Sequence, residues 1–80
     1  MNLYLATFHT HLAAMRTHRA LAAAGVAAQL APVPRTLSAS CGTCVRYQAN
    51  DPMNACLDGD FEKLVQQDSD GAYQLLRANE

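Results

Sequence analysis

The feature that most constrains the fold is residues 11–24, a run that is rich in alanine and contains neither proline nor glycine. Thr10 is suited to cap the start of a helix, and Gly25 stands where helices commonly end in the left-handed conformation. Because successive helical residues turn by about 100°, the apolar side chains of this run fall on one arc, with His18 near its middle. The pattern predicts one amphipathic helix with an apolar face that packs into a core.

Short strand-like segments surround this helix, and a second helix is expected after Asp51 and Pro52, where apolar residues keep helical spacing. The expected elements are strands at 3–8, 26–31, 43–47 and 72–76 and helices at 11–24 and 53–67. Because the order is β-α-β-β-α-β, we expect an α+β, ferredoxin-like sandwich in which two helices cover one face of a four-stranded antiparallel sheet. The length of 80 residues fits a single domain, residues 1–80.

Charge is divided unevenly along the chain. Residues 1–50 carry four arginines and no carboxylate, whereas residues 51–80 carry all seven acids against Lys63 and Arg77. The net charge of −1 argues against a general nucleic-acid binder. No apolar run approaches the ~20 residues that a membrane span needs, and the first residues lack the features of a secretory signal peptide. We therefore expect a cytoplasmic protein with no nucleic-acid or membrane partner.

The pair formed by Cys41 and Cys44 has Cys-x-x-Cys spacing and carries the sharpest chemical signal. A thioredoxin-type redox pair needs a helix directly after the first cysteine, but a strand-like segment follows here. A metal site is a second interpretation, with Cys56 or His11 as further ligands, although the chain holds only one paired spacing. The third interpretation is a carrier or transfer thiol.

A working thiolate is favoured by nearby positive charge, hydrogen-bond donors and partial exposure. Arg35 and Arg46 flank the cysteine pair, with no competing carboxylate among the neighbouring residues. Serine hydroxyls and backbone N–H groups around Gly42 are expected to form a small anion nest, and glycine permits a sharp turn there. The residues assigned to binding are Arg35, Ser38, Ser40, Gly42, Arg46 and His11.

Cys44 has two open interpretations. A disulfide needs Cα atoms about 4.4–6.8 Å apart, so Cys41 and Cys44 can bond only if the two residues between them turn. We predict that the two cysteines approach each other and that Cys44 is a resolving thiol. The alternative is a small buried hydrophobe on the third strand, an interpretation that is favoured for Cys56.

The histidines also have two interpretations. The first and third strands of this topology are antiparallel neighbours, so His11 is expected to approach Cys41 as a general base or imidazolium partner. The alternative is that His9 and His11 are solvent-facing loop residues. His18, on the apolar arc of the helix, is expected to be a partly buried histidine with its hydrogen bond satisfied.

The run Pro-Val-Pro-Arg-Thr-Leu-Ser-Ala-Ser-Cys-Gly at 32–42 resembles the signature of a small bacterial selenium/sulfur carrier-like domain. That signature has Pro-x-Pro-Arg, an aliphatic residue, then Ser and Cys-Gly, and some members add a second cysteine. The resemblance covers residues 3–47 and implies a cytoplasmic carrier in which Cys41 holds sulfur or selenium. It implies that the loop around Cys41 is shaped by Arg35, Ser38, Ser40 and Gly42. The chain departs from the family at His18, where members usually carry an acidic residue on the first helix, and in a longer second half.

The leading hypothesis is a carrier rather than a stand-alone enzyme. Cys41 would accept persulfide sulfur or selenium from a donor enzyme and pass it to an acceptor protein, with no cofactor and no metal of its own. Cys44 would release the cargo by attacking the persulfide and leaving a disulfide. The alternatives are a zinc, copper or iron module built on the cysteine pair, and a regulatory or scaffold domain whose cysteines are incidental. The sheet edges leave homodimer formation open.

Overall fold

The computed structural model describes residues 1–37 and 39–79 and has, within them, one α-helix and a five-stranded antiparallel sheet with strand order β2-β3-β1-β4-β5. The elements are β1 (Asn2–Phe8), α1 (His11–Ala23), β2 (Ala28–Pro32), β3 (Thr43–Ala49), a 3-10 turn (Asn54–Cys56), β4 (Phe61–Gln67) and β5 (Tyr73–Ala78). The α+β class and the antiparallel sheet are confirmed. The expected four strands and two helices are corrected to five strands and one α-helix.

Helix α1 begins where the sequence predicts and ends one residue before the predicted end, at Ala23. The Thr10 hydroxyl accepts a hydrogen bond from the Ala13 N–H at 3.1 Å, which satisfies one of the free donors of the first turn. The helix gives way to Gly25, whose φ of 78° lies in the left-handed region. Its buried residues, which pack on one face of the sheet, are Ala13, Ala14, Thr17 and Leu21.

Side chains alternate between the two faces of the sheet. We call the side covered by α1 the helix face and the opposite side the loop face. The larger core lies on the helix face and includes Tyr4, Phe8, Leu21, Val45, Tyr47 and Leu64. A smaller buried cluster lies on the loop face and consists of Leu5, Cys44 and Val65, with Val33, Leu37, Ala31 and Tyr73 packed against it. The loop after β2 therefore covers part of the face that α1 leaves open.

The prediction of a helix at residues 53–67 is wrong, and a β-bulge explains why the spacing of the apolar residues resembles that of a helix. Phe61 and Leu64 both belong to the helix-face core, although residues three apart in a regular strand point to opposite faces. The pairing with β1 shifts here, because Thr7 lies opposite Lys63 while Phe8 lies opposite Phe61. One residue between them is therefore unpaired, and the bulge reproduces a three-residue spacing typical of a helix.

Sheet geometry also opposes a helix between β3 and β4. β3 ends beside the start of β1, and β4 begins beside its end, so the connection must run the length of the sheet. A seven-residue strand spans about 20 Å, whereas the eleven residues 50–60 would span only about 16 Å as a helix. The connector consists of bends, turns and the 3-10 turn Asn54–Cys56, with no α-helix. Its apolar residues Met53, Cys56 and Leu57 pack on the helix-face core.

The edge strands differ in smaller ways from expectation. β2 begins two residues later than predicted and includes Pro32, which an edge strand tolerates because its outer side needs no N–H donor. The last predicted strand is present as β5, shifted to residues 73–78, at the opposite edge of the sheet. Among the described residues, α1 is too short and insufficiently apolar to cross a membrane.

Candidate functional site

Cys41 lies at the base of the loop that joins β2 to β3. Pro32 pairs with Thr43, and the Val33 N–H donates to the Gly42 carbonyl at 3.0 Å. The chain therefore leaves and re-enters the sheet at adjacent points, with Cys41 immediately before the closing contact. Its side chain is half-buried, so this cysteine is partly accessible from solvent.

The body of the loop is held by a turn and by apolar contacts. The Leu37 N–H donates to the Pro34 carbonyl at 3.0 Å, and the side chains of Val33 and Leu37 pack on the loop-face cluster. Arg35 lies in this turn and is exposed. Ser38, one of the residues assigned to binding, lies outside the described residues.

The residue before Cys41 is bound by a carboxylate from β4. Glu62 Oε1 accepts the Ser40 N–H and Oε2 accepts the Ser40 hydroxyl, both at 3.0 Å. His9 Nδ1 lies 3.9 Å from the same Oε2. The Ser40 N–H is the main cause that lowers the pKa of the Glu62 carboxyl, against the opposing effect of burial; the Ser40 hydroxyl and the charges of His9 and Lys63 lower it further.

The Ser40 contact corrects one expectation from the sequence. We expected the N–H and the hydroxyl of Ser40 to belong to an anion nest that serves the Cys41 sulfur. Both donors are instead bound by the protein's own carboxylate. Ser40 therefore holds the loop in place, and its donors are already used.

A second contact lies on the other side of Cys41. His11 Nδ1 and the Thr43 hydroxyl are 3.2 Å apart, which joins the start of α1 to the start of β3. The antiparallel pairing of β1 and β3 brings these two ends together, as the topology predicted. The residue that His11 contacts is Thr43, two positions after Cys41 in the sequence.

Cys44 lies in the loop-face core. It is 0% exposed, and its thiol donates a hydrogen bond to the Pro32 carbonyl at 3.6 Å. Burial raises the pKa of the Cys44 thiol, and this effect exceeds the opposing effects of the Arg46 charge and a backbone hydrogen bond. A buried thiol with a raised pKa forms little thiolate near neutral pH, so the structural interpretation of Cys44 is favoured over a resolving thiol.

The structure places Gly42 and Arg46 differently from what the sequence led us to expect, which was a sharp glycine turn and an arginine beside the cysteine pair. The φ of Gly42 lies outside the left-handed region, and a Cβ added there would meet nothing within 4 Å. The fold therefore does not require glycine at this position. Arg46 is exposed on β3, with Leu5 and Gln29 as its cross-strand neighbours, about 10 Å along the strand from Thr43.

The metal-binding alternative is not supported. Within residues 1–37 and 39–79, no group of three or more His, Cys, Asp or Glu side chains is arranged to hold a metal ion. Cys56 packs on the helix face, where its thiol lies 3.8 Å from the Ala20 carbonyl, while Cys44 lies on the loop face. The sheet separates these two cysteines.

The His18 side chain has a hydrogen-bond partner, as predicted, because its Nε2–H donates to the Ala28 carbonyl at 3.1 Å.

A family model described as "Putative Se/S carrier protein-like" matches residues 3–56, which are 54 of the 80 residues and include the whole loop around Cys41. The chain belongs to this family. No curated protein and no solved structure matches the chain. The match to the Se/S carrier-like family ends before β4.

Glu62 therefore lies outside the part of the chain that matches the Se/S carrier-like family. Sequence reasoning missed it because the apolar spacing around it predicted a helix, and a helical Glu62 has no reason to reach the Cys41 loop. The available signal is weak: one of the two residues between Phe61 and Leu64 is acidic. The importance of Glu62 depends on two hydrogen bonds with Ser40, which is 22 positions away in the sequence.

Proposed function

We propose that this protein is a sulfur or selenium carrier in which Cys41 holds the cargo. The observation that supports this most directly is the anchoring of both neighbours of a half-buried cysteine. Ser40 is held by Glu62, and the Gly42 carbonyl is held by the Val33 N–H. A nucleophile on a fixed backbone meets a partner in one orientation, which lowers the entropic cost of transfer. The description of the family agrees with this proposal.

Loading is a thiol–persulfide exchange with no net oxidation. The Cys41 thiolate attacks the outer sulfur of a persulfide on the donor enzyme, a new S–S bond forms at Cys41, and the donor cysteine leaves as a thiolate. Unloading repeats the exchange: an acceptor thiolate attacks the outer sulfur, and the Cys41 thiolate leaves. The same exchange carries selenium when the outer atom of the donor is selenium. Neither step needs a second cysteine of this chain, so Cys44 can remain buried.

The supporting residues have separate roles in this proposal. His11, held by Thr43, is the general base or imidazolium partner of the thiol. Arg35, exposed on the same loop, attracts the anionic persulfide or an acidic surface of the donor. The exchange belongs in the cytoplasm, where thiols stay reduced. The partners are a donor enzyme and an acceptor protein.

Intact mass spectrometry tests the proposal. The protein is incubated with a cysteine desulfurase and cysteine, and in parallel with a selenocysteine lyase and selenocysteine. We expect a mass increase of one sulfur or one selenium atom, reversed by a reductant and mapped to Cys41. Cys56→Ser is the matched control, because Cys56 is the other half-buried cysteine. It should keep the adduct, whereas Cys41→Ser should lose it. No adduct from either donor, or an adduct on Cys56, would overturn the proposal.

A further inference from the structure

Glu62 fixes the Cys41 loop from a strand that is not adjacent to it. We propose that Glu62 is a positioning residue for sulfur or selenium transfer, acting through its two hydrogen bonds with Ser40, which we call the Glu62 clamp. The inference rests on the proposed function of Cys41. It adds a determinant that lies beyond the family-matched segment, residues 3–56.

The β-bulge places the clamp. β-bulges redirect a side chain and occur preferentially beside functional sites. Here the extra residue is Glu62, between Phe61 and Lys63, which pair with consecutive residues of β1. In the strand order, β1 separates β4 from β3, so the Glu62 side chain reaches past the end of β1 to a loop that belongs to β2 and β3. The carboxylate thus links strands that have no direct pairing.

The geometry of the clamp fixes orientation as well as position. Each carboxylate oxygen accepts one donor, and both donors belong to Ser40, one from the backbone and one from the side chain. Two charge-assisted bonds from one residue restrict its rotation much more than a single bond does. Cys41 follows directly, and the next residue, Gly42, is held by Val33. Removing Glu62 leaves the cysteine anchored on one side only.

The clamp requires an ionised carboxylate, because a protonated carboxyl loses acceptor capacity toward the two donors. The groups that face Glu62 are Ser40 from the loop and His9 from the turn after β1, with Lys63 beside it on β4. The Asn79 N–H, after β5, donates to the Glu62 carbonyl and holds its backbone. Because Ser40 and its charged neighbours lower the pKa of the Glu62 carboxyl, the clamp is closed at neutral pH and opens as pH falls through that lowered value.

Three variants separate positioning from general effects of charge or stability. Glu62→Ala removes the clamp, and Glu62→Gln keeps one acceptor oxygen but cannot titrate. Asp60→Asn is the matched control, because it removes an exposed negative charge two residues away without removing a bond to Ser40. Two readouts are needed: hydrogen exchange of the Ser40 amide as a function of pH, which requires no donor enzyme, and the rate of Cys41 loading by the desulfurase at neutral pH.

We expect Ser40 exchange to be about tenfold faster in Glu62→Ala than in wild type, and unchanged in Asp60→Asn. Loading should slow several-fold in Glu62→Ala. Near neutral pH the Ser40 amide should also exchange faster in Glu62→Gln than in wild type, and this difference should shrink in acid, where the wild-type carboxyl becomes protonated. The inference would be overturned by equal Ser40 exchange in all variants, by a ratio of Ser40 exchange rates between Glu62→Gln and wild type that does not change in acid, or by loading of Glu62→Ala at the wild-type rate. If wild-type Cys41 accepts no cargo, the proposed function fails, and Ser40 exchange still decides whether the clamp exists.

Discussion

The Thr7 hydroxyl accepts a hydrogen bond from the Lys63 N–H at 3.1 Å, in a position where Thr7 is 0% exposed. This contact joins β1 to the residue that directly follows the bulge in β4. Burying a hydroxyl without a partner is unfavourable, and the Lys63 N–H supplies a partner for this one. The contact in turn stabilises the bulge that directs Glu62 toward the Cys41 loop.

Replacing this buried hydroxyl tests its contribution. Thr7→Val keeps the shape of the side chain but removes the acceptor of the Lys63 N–H. We expect the free energy of unfolding to fall by about 1–3 kcal/mol, the cost of losing a buried hydrogen-bond partner. Urea denaturation measures the change. The exposed Thr36→Val, in the loop, is the control and should change stability by less than about 0.5 kcal/mol. Equal stability of Thr7→Val and wild type would contradict the prediction.

The cysteines are expected to react with a small alkylating reagent in a fixed order. Cys41 is half-buried, whereas Cys44 is 0% exposed and has a raised thiol pKa. Because the thiolate is the nucleophile, Cys44 should be alkylated at least about tenfold more slowly than Cys41 in the native protein. Pulsed labelling followed by peptide mapping measures both rates. In denaturant the two rates should converge, which controls for intrinsic reactivity.

The outcome at Cys44 also decides between its two interpretations. If Cys44 is labelled as fast as Cys41, the thiol is accessible and a resolving role regains support. If it is protected, Cys44→Ala should still load cargo on Cys41 and release it to an acceptor thiol. Its cost should be a loss of packing of about 1–2 kcal/mol in the free energy of unfolding.

Two glycines should respond differently to alanine. Gly42 has a φ outside the left-handed region and open space where the alanine methyl group would lie, so Gly42→Ala should change the free energy of unfolding by less than about 0.5 kcal/mol. Gly25 has a φ of 78°, where an L side chain is strained. Gly25→Ala should therefore cost about 1 kcal/mol or more. Thermal or urea denaturation of the pair checks this. A large loss of stability in Gly42→Ala would show that the backbone at this position does require glycine.

A stable Gly42→Ala that loads cargo poorly would have a specific meaning. Glycine at this position would then be needed for the approach of a partner to Cys41, since the fold itself admits a side chain here. From the sequence we expected Gly42 to be needed for the conformation of the backbone. In the structure, the remaining role for this glycine is to keep Cys41 accessible to a partner.

The first half of the fold was predictable because its signals are local. Thr10 and Gly25 bound α1 through their own backbone preferences, and alternation along β3 shows which residues are buried. The antiparallel pairing of β1 and β3 then follows from topology, which places His11 near the start of β3. The loop around Cys41 was proposed as the site from its own residues and from the family resemblance.

The second half was not predictable from the same signals. The bulge at Glu62 depends on pairing with β1, which a spacing of apolar residues within one segment does not record. The contact between Glu62 and Ser40 joins residues 22 positions apart, so the sequence around either residue does not indicate it. Burial of Cys44 likewise depends on Val33 and Leu37, which reach it only when the loop folds over the sheet.

The stabilising effect of Glu62 should depend on pH in a defined direction. Its carboxyl pKa is lowered from the ordinary value of 4.5, chiefly by the Ser40 N–H. A lowered pKa means that the folded state favours the ionised form of Glu62. The contribution of this carboxylate to stability is therefore complete above the pKa of the unfolded state and is lost as pH falls through the pKa of the folded state. Glu62→Gln has no titrating group at this position. The difference in free energy of unfolding between wild type and Glu62→Gln should therefore be largest near neutral pH and shrink in acid. Urea denaturation at about pH 7 and about pH 3 measures it, and a difference that grows in acid would contradict the assignment of the carboxylate as the form that binds Ser40.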